Sequence, residues 1–73
     1  MGKNKVRLTI GGLDYYITTD EDIAYMKNLG EDLDDEITGL IHDHPRLSQV
    51  QAAVLSALDY ADRLKQAEKS NDF

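Results

Sequence analysis

The side chains with chemistry to offer are two histidines, a run of acids, a capped serine and a glycine pair. Each fails the spacing its chemistry demands. His42 and His44 could hold a metal, but the chain has no cysteine and no third histidine to complete a ligand set. They read as polar loop residues, with His42 well placed at the negative end of a helix. Asp32-Leu33-Asp34-Asp35-Glu36 opens like a calcium loop. Such a loop needs glycine sixth and glutamate twelfth, and here those places hold Ile37 and Asp43. Ser48 has no histidine–acid relay in view and suits a helix cap. Gly11-Gly12 is neither a dinucleotide fingerprint nor a P-loop. No catalytic constellation remains, so no enzymatic activity, cofactor or metal is expected.

The chain has 73 residues, enough for one small domain over 1–73. With no cysteine there is no disulfide to reinforce a small core, which leaves helix packing or self-association. A hydrophobic content of 41% with 30% charged residues is globular composition. The net charge of −6 argues against nucleic acid and against an anionic membrane surface as partners. No apolar run approaches the roughly 20 residues that span a bilayer. Met1-Gly2-Lys3-Asn4-Lys5 leads into alternation, not into the apolar stretch of a signal peptide. A soluble intracellular protein is expected.

The elements follow from periodicity. Val6, Leu8 and Ile10 alternate with polar residues, as do Leu13, Tyr15 and Ile17 beyond Gly11-Gly12. Two glycines between alternating runs predict a hairpin over about 5–18 with a type I′ turn and positive φ at both glycines. The two-residue turn pairs Ile10 with Leu13, Leu8 with Tyr15 and Val6 with Ile17, so all six share one face. Arg7 then stands opposite Tyr16 on the other face, as a cation–π pair or a contact aromatic, and Thr9 opposite Asp14. Thr18 with Glu21 reads as a capping box and Thr19 as the competing cap, opening a helix over about 20–42. Its stripe is Ile23, Met26, Gly30, Leu33, Ile37 and Leu40, and Pro45 closes it.

Ser48 and Gln51 form a second capping box, with Leu47 placed to staple against Ala52, opening a helix over about 48–69. Its polar end, from Gln66 on, is expected to fray. Val50, Val54, Ala57, Ala61 and Leu64 follow coiled-coil spacing, while Ala53, Leu55 and Leu58 extend apolar surface round the helix. A hairpin and one other helix cannot cover so much surface, so a partner chain is implied. The dimer interface expected from this is Val50, Ala53, Val54, Ala57, Ala61 and Leu64, with the alanines permitting close helix approach. The fold class is therefore α+β: an N-terminal β-hairpin, then two helices, the second long and continuing toward a coiled coil, in a dimer. Charge is segregated. Residues 20–44 carry nine acids against Lys27, which reads as a solvated acidic face, whereas 1–19 balance at +2 and 45–73 at zero.

With these residues in place the chain resembles the ZapA family of bacterial cell-division proteins. The hairpin Val6-Arg7-Leu8-Thr9-Ile10-Gly11-Gly12-Leu13-Asp14-Tyr15 carries part of the resemblance, and so does the acidic first helix ending before Pro45. The most specific part is Pro45-Arg46-Leu47-Ser48 followed by Ala52 to Leu64. It looks like the family's "NPRLS…AAVLAALNIADEL" block, with His44 and Asp59 where asparagine is usual. The resemblance spans roughly residues 3–67, and the chain ends near where the family coiled coil begins. It implies homodimers that pair into tetramers. It also implies binding to FtsZ, the tubulin-like division GTPase, with bundling of its filaments at the midcell division ring in the cytoplasm, and no enzymatic activity. Leu13 stands where some relatives carry a basic residue, so no charged contact is carried over there.

Two functions are thus in view: a division-ring adaptor, and a small regulatory dimer with a DNA or ligand partner. FtsZ is expected to be acidic, so contacts should use the basic islands, Lys3, Lys5 and Arg7 on the first strand and Arg46 after Pro45, with Tyr16 beside them. Lys27, alone among acids, is a weaker candidate.

Overall fold

In a computed structural model that describes residues 3–70, β1 (Asn4–Ile10) and β2 (Leu13–Thr19) form an antiparallel hairpin. Two helices follow, α1 (Ile23–Asp43) and α2 (Gln49–Ser70). The register is the one the alternation predicts, Val6 with Ile17, Arg7 with Tyr16, Leu8 with Tyr15 and Ile10 with Leu13. Gly11 and Gly12 have φ of 61° and 84°, the left-handed values a type I′ turn requires. Thr9 Oγ1 donates to Asp14 Oδ1 across the non-core face at 2.7 Å.

The first helix starts later than its sequence implies. β2 runs on to Thr19, which pairs with Asn4, so Thr18 and Thr19 belong to the strand and cap nothing. Thr19 Oγ1 instead accepts from the Glu21 amide at 3.0 Å, closing a turn. Asn4 Nδ2 donates to the Glu21 carbonyl at 2.9 Å, holding that turn to the hairpin. The N-cap is Asp22, whose carboxylate accepts from Tyr25 N–H. The second capping box is present: Ser48 N–H donates to Gln51 Oε1 at 3.0 Å and Gln51 N–H to Ser48 Oγ at 3.1 Å. α2 stays helical through Ser70, so it does not fray from Gln66; the last residues of the expected frayed end, Asn71 to Phe73, lie outside the described residues.

Packing runs in series: β2 on β1, β1 on α1, α1 on α2. Val6 is 3% exposed and Ile37 and Gly30 are buried. Gly30 lets the strand approach: a Cβ there would lie 2.9 Å from Leu8 Cδ2. The turn is tied to both helices. Gly11 N–H donates to Asp34 Oδ1 at 2.7 Å, and Gln49 Nε2 donates to the Gly11 carbonyl at 3.0 Å.

The helices meet through small residues. Ala52 and Ser56, both with no exposed surface, lie on the side of α2 toward α1, while Ala53, Ala57 and Ala61 are exposed. Above them Arg63 Nη2 bridges Glu36 Oε1 of α1 at 3.0 Å and Asp59 Oδ2 of its own helix at 2.6 Å. The same guanidinium lies 4.9 Å over the Tyr60 ring. Among the described residues this is the cation–π contact, not the pair expected between Arg7 and Tyr16. Burial raises the Glu36 pKa above the usual 4.5, and Asp59 beside it adds to the rise; Arg63 and Ser56 oppose it. Tyr60 is raised in the same way, by burial first and then by Glu36.

Two outcomes follow from this packing. Gly39 has open space where a Cβ would go, so Gly39→Ala should raise the unfolding free energy measured in urea by about 0.8–1 kcal/mol through helix propensity. Gly30→Ala should fall short of that gain or lose stability, because its methyl meets Leu8. Glu36 binds protons more tightly folded than unfolded, so it withdraws stability as pH climbs from 4.5 through its raised folded value. The thermal midpoint of Glu36→Gln relative to wild type should therefore rise from about pH 4 to about pH 7. A difference that stays flat over that range would show Glu36 to be unperturbed.

Candidate functional site

Two surfaces stand out by their exposed side chains. The first is the outward face of the hairpin. Alternation puts Lys5, Arg7, Tyr16 and Thr18 on the side away from Val6, and these four border a shallow hollow of about 490 Å³ with Val6 and Ile17. Tyr16 is 77% exposed, and Lys5 and Arg7 are exposed beside it. Cations next to an accessible aromatic ring suit an acidic, partly apolar protein surface.

Arg7 also borders a second hollow, of about 270 Å³, shared with Thr9, Lys27, Gly30 and Glu31 along the edge of β1. Lys27, solitary along the sequence, thus joins the basic edge of the hairpin. A helix stripe could not reveal this, because it depends on which flank of α1 lies beside β1. Lys3 is exposed just ahead of the strand. Arg46 is exposed in the loop between the helices, at the turn end of the hairpin, and does not border the Lys5–Tyr16 hollow. The five basic and aromatic candidates therefore form one group of Lys5, Arg7 and Tyr16, with Lys3 next to it and Arg46 apart.

The second surface is apolar. On α2, Ala52, Ser56, Tyr60 and Arg63 mark the side toward α1. At 3.6 residues per turn, Val50, Val54, Ala57, Ala61 and Leu64 centre about 125° away. All five are exposed, Val50 by 72%, as is Ala53 on the flank between. The chain as a whole is open. Its radius of gyration is 14.4 Å where a compact chain of this length has about 11 Å. Its accessible surface is 5911 Å² where about 4,500 Å² is usual for 8.2 kDa.

Sequence reasoning missed the polar groups that hold these surfaces in place. Asp34 and Glu36 read as solvated acids, yet both are half-buried, one on the turn amide and one between the helices. Gln49 and Ser56 carried no signal beyond helix propensity. His42 is exposed and stands 3.5 Å from Asp43, and His44 caps the end of α1. Among the described residues no group of three or more histidines and acids could hold a metal ion, and no helix is long and apolar enough to cross a membrane.

Comparison with known proteins places this architecture. No curated protein and no solved structure matches the chain. The sequence model of the family described as "Cell division protein ZapA" matches residues 6–73, which takes in the hairpin and both helices. The chain belongs to the ZapA family of cell-division proteins.

Proposed function

We propose that this chain is a non-enzymatic adaptor of the bacterial division ring, a cytoplasmic homodimer at midcell that binds FtsZ and aligns its filaments. Family membership over residues 6–73 carries the proposal. The physical features agree with it. A dimer presents two identical heads, and a head that binds weakly gains from a second engagement on the same or a neighbouring filament, through effective concentration. The uncovered face of α2 supplies a reason to dimerise, and the outward hairpin face stays free to meet a polymer.

The dimer is expected through Val50, Ala53, Val54, Ala57, Ala61 and Leu64. Ala57→Glu would bury a charge with no partner, at a cost of several kcal/mol. Light scattering at micromolar concentration should give a dimer for the native chain and a monomer for the variant. A native monomer would remove the interface.

Filament contact is expected through Lys5, Arg7 and Tyr16, with Lys3 and Arg46 as flanking charges. Arg7→Glu should reduce co-sedimentation with FtsZ and GTP while light scattering still reports a dimer. Added salt should weaken the native interaction too, since exposed charges are screened within about 8–10 Å. Full binding by a dimeric Arg7→Glu chain would exclude this face. Retention on DNA in a gel shift, without co-sedimentation, would favour a regulatory dimer instead.

A further inference from the structure

The sheet has two strands, so β1 keeps one edge with no strand beside it. The register tells which groups stand along that edge. A two-residue turn joins a pair that exchanges both backbone hydrogen bonds, and such pairs alternate with pairs that exchange none. Ile10 and Leu13 are the first bonded pair, so Leu8–Tyr15, Val6–Ile17 and Asn4–Thr19 are the others. The N–H and C=O groups of Lys5, Arg7 and Thr9 therefore point away from β2, out of the side of the sheet. The same three residues are exposed, and their side chains lie on the face away from Val6. Among the described residues, Lys5, Arg7 and Lys27 have no ion-pair partner. Between this edge and α1 lies the hollow of about 270 Å³, bordered by Arg7, Leu8, Lys27, Gly30 and Glu31. No residue of β2 borders it, which places it on the free side of β1.

We propose that this edge takes up an extended acidic segment of a partner protein as a third strand of the sheet. The proposal rests on the filament-contact reading above and names the form of that contact. The incoming N–H and C=O groups pair with those of Lys5, Arg7 and Thr9, about 4.8 Å from β1. The incoming side chains alternate. Acids at every second position come beside Lys5 and Arg7, which stand about 7 Å apart along β1, the repeat of the new strand itself. The side chains between them turn toward α1 and enter the hollow, where Leu8 and Gly30 leave room for small apolar groups. Charge selects this occupant. Residues 1–19 balance at +2, Lys27 adds a cation beside the edge, and Glu31 is the acid that borders the hollow. A second copy fits the edge poorly. Pairing β1 with β1 gathers Lys5 and Arg7 of both copies on one face, and like charges across strands are destabilising.

Amide hydrogen exchange of the full-length, isotope-labelled chain reads this edge residue by residue. In the free chain the Val6 and Leu8 amides, bonded to β2, should exchange slowly, and those of Lys5, Arg7 and Thr9 fast. A short peptide alternating aspartate with valine, at millimolar concentration, should slow Lys5, Arg7 and Thr9 by about tenfold. A peptide alternating lysine with valine should leave them fast. A peptide alternating aspartate with proline keeps the charge but cannot form a strand ladder. Equal binding by that peptide, or binding of the aspartate–valine peptide without slowed amides, overturns strand addition and leaves the basic face as a contact of another form. Slowing at Asp14, Tyr16 and Thr18 instead assigns the edge of β2 and overturns the proposal, as does no binding of the aspartate–valine peptide. Co-sedimentation with FtsZ and GTP reads the underlying claim separately. A chain that takes the peptide along β1 yet leaves filaments unbound keeps the edge and loses the division-ring partner.

Discussion

The tether at the hairpin turn governs where everything else lies. Gly11 offers its N–H to Asp34 and its carbonyl to Gln49, so one residue is held by both helices. The first bond sets how far along α1 the hairpin sits and so brings Leu8 over Gly30, where the absent side chain allows contact. The second fixes where α2 begins. Only a left-handed residue without a Cβ fits there, since a Cβ on Gly11 would run into the Gln49 amide. The orientation of the outward face, with Arg7 and Tyr16, depends on this anchor.

What could be read from the sequence was what local rules control. The hairpin register follows from alternation and a two-residue turn, and the Ser48–Gln51 box from i to i+3 spacing; both are observed. The start of α1 was misplaced because Thr18 and Thr19 satisfy capping rules and strand rules equally. Pairing with β1 decides between them, and that is a tertiary fact. Asp34 and Glu36 looked alike among nine acids. One meets the turn amide and the other Arg63, from elements 23 and 27 residues distant, which no helix stripe encodes. Of the candidate contacts, Lys5, Arg7 and Tyr16 were legible because strand alternation alone groups them. The place of Lys27 beside Arg7 was not, since it depends on how α1 is rotated under β1.

Small residues and charged ones divide the helix-pair seam. Ala52 and Ser56 bring the backbones together and leave Ser56 Oγ and Glu36 Oε2 buried without a hydrogen-bond partner. That is an expensive arrangement, relieved in part by Arg63, which reaches across from α2 to the other oxygen of Glu36. The seam thus rests on small residues and one ion pair, while the opposite side of α2 carries the larger apolar surface.

The segregation of acids onto α1 bears on how single chains behave in solution. A newly made chain packs β2 on β1, β1 on α1 and α1 on α2, the β1–α1 contact spanning the intervening β2. It then carries open valine and leucine stripes through water while still alone. Exposed stripes of that kind drive indiscriminate clumping. The negative field of α1 travels with them and repels the acidic faces of other copies, while the start of α2 is uncharged and the hairpin basic. The acids thereby act as a colloidal guard, discouraging random encounters between chains.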